Sequence, residues 1–262
     1  MRHPLLGAAS LAALAATVMA CSGSSAASLN PTAPTATVAT TPATTTTTTT
    51  TPSPSGVQAL YAQFVSAVTV SIDGGTVTLR TNDLPDHKSP YWGSSNANYE
   101  APHSGMQVNP HLIAAQNLTF RIPSSPAAAA STSDTPLGPI GISINGVVFF
   151  NQYAAMRQPL TSEIISFDRY NGHPSPSNQY HYHFEPVSIT ASSRSRLIGV
   201  LLDGFPVYGP LDSDGSLPSG LDACNGHSGA TPEFTSGIYH YHTTSAVPYI
   251  SGCFRGTAGT VR

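Results

Sequence analysis

The chain has 262 residues, of which only 9% are Asp, Glu, Lys or Arg, and its formal net charge is -3. Soluble proteins average about 25% charged residues, so long solvated helices are disfavoured, and the lack of basic excess excludes a nucleic-acid footprint. Abundant Gly (22) and Pro (23) favour turn-rich β structure, while ten His against ten Lys plus Arg make the charge sensitive to pH near neutrality.

Residues Met1 to Ala20 read as an export signal, with Arg2 followed by the apolar run Leu5 to Ala20. That run is short for a membrane span. It ends at Val18-Met19-Ala20-Cys21, which resembles a bacterial lipobox, so Cys21 is expected to be lipidated and to anchor the chain to a membrane. Ser22 to Ser25 suits the tether after such a cysteine. Thr32 to Ser55, with Thr44 to Thr51 unbroken, has no apolar periodicity and is expected to be a disordered stalk over residues 21–56. A single folded domain is expected over residues 57–262. With Cys21 set aside, Cys224 and Cys253 are expected to form a disulfide in an exported chain. The alternative is two free thiols acting as copper ligands.

Val68 to Ile72 and Thr76 to Leu79 alternate at period two across Asp73-Gly74-Gly75 and predict a hairpin. Asn82 to Trp92 gathers Asp83, Asp86, His87 and Lys88 beside the only Trp, the composition of a site edge or of an anchored loop. His103 and His111 fall in loops. Leu118 to Ile122 reads as a strand, and the Ala/Ser-rich Ser124 to Thr135 as a loop insertion. A short helix is expected near Ser162 to Asp168.

A repeat follows. Ile140 to Phe150 aligns with Ile198 to Tyr208, each an apolar run around Asn145-Gly146 or Asp203-Gly204, the strongest short-range hairpin signal. Asp168-Arg-Tyr-Asn-Gly-His173 aligns with Asp222-Ala-Cys-Asn-Gly-His227. Each copy closes on Tyr-His-Tyr-His, at 180–183 and at 239–242. The expected fold is mainly β, a hairpin-rich sandwich or distorted barrel built from pseudo-repeats over about 140–183 and 198–242.

In an extended strand, Tyr-His-Tyr-His sends both Tyr to one face and both His to the other. His181, His183, His240 and His242 are therefore the leading metal ligands, joined by His173, His227 and His87. If the two His faces meet, one pseudo-symmetric site draws on both copies; if they face apart, there are two smaller sites or none. The competing reading makes these residues a hydrogen-bonded scaffold. Asp168 and Asp222 either orient the histidines or cap turns. Asp203 reads as a turn residue. Asp212-Ser-Asp-Gly opens like a calcium loop but has no closing Glu, so a polar surface loop is expected.

Imidazole suits a transition metal, with copper first and zinc second for an envelope protein. Binding is expected to weaken below about pH 6.5 as the histidines protonate. No nucleotide or flavin signature is present. The alternatives to metal handling are a metal-dependent hydrolase or oxidoreductase, with Asp86, Asp168 or Asp222 as general base, and a structural or adhesive surface module.

Six stretches place the chain more closely: Leu84 to Trp92, Pro136 to Gly141, Asp203 to Pro210, Asp222 to His227, Tyr239 to His242 and Tyr249 to Phe254. In this order they resemble the bacterial YHYH-domain family, from roughly Leu84 to Gly256. The resemblance implies metal binding, adds weight to His87, and assigns no reaction.

Overall fold

The computed structural model describes residues 55–262. The expected signal peptide, the lipidated Cys21 and nearly all of the Thr/Pro-rich stalk lie outside the described residues. Among those described, no helix is long and apolar enough to cross a membrane.

The domain is mainly β. Its strands are β1 (Thr69–Asp73), β2 (Thr76–Thr81), β3 (Leu118–Pro123), β4 (Ala128–Asp134), β5 (Gly141–Ser143), β6 (Val148–Phe149) and β7 (Gly172–Pro174). There follow β8 (Tyr180–Tyr182), β9 (Leu197–Leu201), β10 (Pro206–Tyr208), β11 (Gly226–Gly229), β12 (Ile238–His242), β13 (Cys253–Gly256) and β14 (Thr260–Val261). The α-helices are short, α1 at Val57–Tyr61 and α2 at Val187–Thr190. In place of the helix expected near Ser162 to Asp168 are 3-10 turns at Leu160–Ser162 and Ile164–Ser166.

The strands form an eight-stranded sheet, a four-stranded sheet (β1-β2-β3-β14) and the pair β13-β4. Each is an open order of strands, so the expected barrel is not what these residues build. The β1–β2 hairpin and strand β3 lie where alternation placed them. The Ser124 to Thr135 stretch, expected as a loop, instead carries β4, antiparallel to β13. Its exposed, small residues have no inward face to leave a period. Partner supply from the C-terminal segment, not propensity, makes it a strand.

The large sheet runs β11-β12-β10-β9-β5-β6-β8-β7. Its centre is the antiparallel β5–β9 pair, with Ile142 opposite Val200. Outward on one side, β6 pairs antiparallel with β5, β8 parallel with β6, and β7 antiparallel with β8. Outward on the other, β10, β12 and β11 follow in the same senses. Gly146 and Gly204 supply the positive φ (93° and 86°) that the two tight turns require. The buried core joins Val77, Leu79, Phe120 and Ile122 of the small sheet to Ile142, Phe149, Val200 and Val207 of the large one. A disulfide links Cys224, just before β11, to Cys253 at the start of β13.

Candidate metal centres

The Asp-x-x-Asn-Gly-His segments fold identically in their local bonds. Asp168 Oδ1 accepts from the N–H groups of Tyr170 and Gly172, and Asp222 Oδ1 from those of Cys224 and Gly226. Asn171 and Asn225 adopt positive φ (66° and 64°), which Asn tolerates better than most residues. The chain then turns into β7 or β11, which sets His173 opposite His181 and His227 opposite His240.

Gly172 and Gly226 are required for a different reason: a Cβ at either would overlap the ring of Tyr180 or Tyr239. Passing over the glycine, Tyr180 OH donates to Asp168 Oδ2 at 2.7 Å, and Tyr239 OH to Asp222 Oδ2 at 2.9 Å. The second tyrosine of each phrase reaches the hairpin turn. Tyr241 OH donates to Asp203 Oδ2 at 2.5 Å, and Tyr182 OH receives Asn145 Nδ2 at 3.3 Å. Both tyrosines thus tie their strand to its own unit, and the histidines take the opposite face.

The histidines gather in two separate clusters, at opposite ends of the eight-stranded order. One is His173, His181 and His183; the other is His227, His240 and His242 with Asp212. In each cluster one donor atom per residue lies within 4.8 Å of all the others. A single site drawing on both Tyr-His-Tyr-His copies is therefore not formed. The β5–β9 seam places the two copies on opposite flanks.

In the first cluster every ring is aimed from its far nitrogen. His181 Nδ1 donates to Gln179 O (3.0 Å) and His183 Nδ1 to Asn151 O (2.5 Å), since a carbonyl can only accept. Ser166 Oγ donates to Glu163 O, so it accepts from His173 Nδ1 at 2.7 Å. All three Nε2 atoms consequently carry lone pairs. Those of His181 and His183 stand 3.0 Å apart, and that of His173 is buried without a hydrogen-bond partner. Phe150 stacks on His181 at 3.9 Å and holds its plane. Burial depresses the pKa of all three: His173 to about 3, with neighbouring His183 adding to the effect, His183 to about 4, and His181 well below its ordinary value. The rings are neutral at pH 7, the state a metal requires.

The second cluster repeats the device. His227, His240 and His242 donate from Nδ1 to the carbonyls of Ser219, Ile238 and Gly209. Nε2 of His227 lies 3.1 Å from that of His240 and 3.2 Å from that of His242. Asp212 Oδ1 lies 3.2 Å from both His227 and His242 Nε2. Burial lowers His240 to about 4 and also lowers His242.

His87 joins neither cluster. Its Nδ1 donates to Lys88 O and its Nε2 lone pair accepts from Tyr182 OH at 2.8 Å, on the tyrosine face of β8. Asp86 accepts from Asn145, and Asp168 and Asp222 bind tyrosines and turn amides rather than histidines. None of these carboxylates is at either cluster, so the general bases expected from the sequence are displaced. Two others were missed. Asp212, expected in a polar surface loop, completes the second cluster. Glu163 Oε2 stands 3.8 Å from His173 Nε2 beside the first. Both sit on loops whose approach to the strands leaves no periodic trace in sequence.

The first cluster lines a cavity of about 500 Å³, together with Phe150, Tyr153, Glu163 and Ile165. The two other cavities described, near Leu217 and near Thr235, include none of the second cluster's four residues.

The model of a family described as YHYH protein matches residues 119–217 and 213–256, together more than half of the chain. These spans contain all seven cluster residues, while His87 and the Leu84 to Trp92 stretch lie outside them. No curated protein and no solved structure gives a match.

Proposed function

The chain belongs to the YHYH protein family, and from that premise we propose that it is an exported, lipid-anchored protein that binds a transition-metal ion at each of its histidine clusters. One observation carries the metal reading. The imidazoles of each cluster spend their N–H outward, and the Nε2 atoms of His181 and His183 stand 3.0 Å apart while that of His227 lies 3.1 and 3.2 Å from those of His240 and His242. Lone pairs so placed repel, and a shared cation removes the repulsion. A scaffold of hydrogen-bonded histidines would pair donor with acceptor instead. Second-side bonds to backbone carbonyls are the usual means of fixing metal-ligating histidines.

The envelope setting favours copper, but the spacing moves zinc ahead of it. Metal–nitrogen bonds of about 2.0–2.1 Å set a tetrahedral edge of roughly 3.3 Å, close to the separations found. Three histidines and a carboxylate are also a common zinc set. Copper(II) remains the second reading, because it binds the same imidazoles more tightly wherever it is available. The two flanks of the sheet are read as duplicated units, each with its own ion. The lipid anchor rests on the apolar segment ahead of Cys21, and the role proposed is binding and handling of the metal in the envelope.

Metal analysis of the whole chain tests this reading. Two ions per chain are expected after exposure to Zn(II), falling to one in His183→Ala and to one in His240→Ala. A chain that takes up neither Zn(II) nor Cu(II) at micromolar concentration overturns it. Loss of labelled fatty acid in Cys21→Ala tests the anchor.

A further inference from the structure

The two clusters differ in a way that assigns them different tasks. The second has four ligand residues, a complete tetrahedral set. The first has three, and the cavity of about 500 Å³ opens on them. Three protein ligands plus an open position is the arrangement of sites that exchange a ligand, while four is that of sites that hold an ion for structure. The volume lies within the range of small-molecule sites.

Resting on the metal reading above, we propose that the His173–His181–His183 centre takes a small uncharged molecule, coordinated through one nitrogen or oxygen and with an apolar body lying in the cavity. The Asp212 centre keeps its ion closed. Leu137, Phe150, Ile165 and Val108 supply apolar wall, and no Lys or Arg is among the lining residues, so no Lys or Arg charge waits for an anionic body there. The Glu163 carboxylate stands 3.8 Å from His173 Nε2, beyond direct hydrogen bonding and beside the three histidines. Glu163 is therefore a positioning residue, which accepts an N–H or O–H from the coordinated molecule.

The test loads the whole chain with two equivalents of Co(II) and follows its visible spectrum as benzimidazole is added. The bands of one ion should change, in the parent and in His240→Ala, but not in His183→Ala. Benzimidazole should bind about tenfold more tightly than imidazole, the lower end of what burying an aromatic ring supplies. Leu137 is 45% exposed, so Leu137→Trp leaves the fold intact; it should keep both ions and weaken the response. Glu163→Gln should weaken benzimidazole about tenfold and leave 1-methylbenzimidazole, which has no N–H to offer, unchanged. Two bound ions with no spectral response, or a response lost in His240→Ala and kept in His183→Ala, overturn this proposal alone. A chain that binds no Co(II), Zn(II) or Cu(II) overturns the metal reading and this proposal with it.

Discussion

Asp212 Oδ1 lies 3.2 Å from His242 Nε2, although residues 213–241 lie between them in the chain and carry β11 and most of β12. The carboxylate belongs to the loop after β10, and His242 to the end of the strand paired with β10. Replacing Asp212 by Ala removes the one anionic group of the second cluster. Zinc affinity there should fall at least about tenfold, with the first cluster unchanged. Chelator competition on the whole chain, resolving two binding steps, measures it.

Acid should destabilise the metal-free domain. Burial holds His173 near pKa 3 and His183 near 4, while both have an ordinary value near 6.5 once unfolded. Below about pH 6.5 the unfolded chain takes up protons that the folded chain refuses, so stability falls with pH. The contribution is fully present above 6.5 and is lost as pH drops toward 4 and then 3. Thermal midpoints of the metal-free chain between pH 7.5 and 4 should decline through that window. A flat profile would contradict the assigned burial. Metal uptake at the first cluster should likewise persist at pH 5.5, lower than free imidazole chemistry would allow.

Gly172→Ala should destabilise the domain by about 1–3 kcal/mol, as overpacking does. The added methyl meets the Tyr180 ring and breaks its reach to Asp168. Gly226→Ala should behave alike through Tyr239. Gly75→Ala, where a methyl meets nothing within 4 Å, is the control and should change stability by no more than about 0.5 kcal/mol. Denaturant unfolding of the three variants separates steric cost from a general intolerance of alanine.

Reduction of Cys224–Cys253 should remove roughly 3–4 kcal/mol of stability, the loop-entropy value for a separation of 29 residues. Because Cys224 directly precedes Asn225-Gly226-His227, the same treatment should weaken zinc at the second cluster more than at the first. Titration in the presence and absence of a metal-free reductant such as a phosphine decides this. Equal weakening at both clusters would mean that the bridge acts on the fold as a whole.

Much of this was legible in the chain. The Asn145-Gly146 and Asp203-Gly204 hairpins, the shared Asp-x-x-Asn-Gly-His turn and the Tyr/His alternation are local features, decided by φ/ψ and period. What failed was nonlocal. β4 is a strand only because β13 lies beside it. Nothing local says that β5 pairs with β9, and that pairing sends the two Tyr-His-Tyr-His strands to separate sites. His87 counted as a candidate ligand because it is a histidine in a polar cluster that matches a family motif; its Nε2 is bonded to Tyr182, a contact 95 residues away in sequence. Asp212 and Glu163 were passed over because acidic loop residues are common and their spatial neighbours are set by topology.

Five of the six clustered imidazoles give their Nδ1 proton to a main-chain carbonyl, and only His173 uses a side chain, Ser166. Side-chain orientation is thereby subordinate to strand pairing. Once Gln179, Asn151, Ile238, Gly209 and Ser219 have taken their places in the sheet and its loops, each ring has a fixed tautomer and a fixed heading. The entropy of gathering the donors is met during folding, before any ion arrives. On the metal reading proposed above, capture needs no rearrangement of the chain, and its rate is set by encounter and by dehydration of the ion.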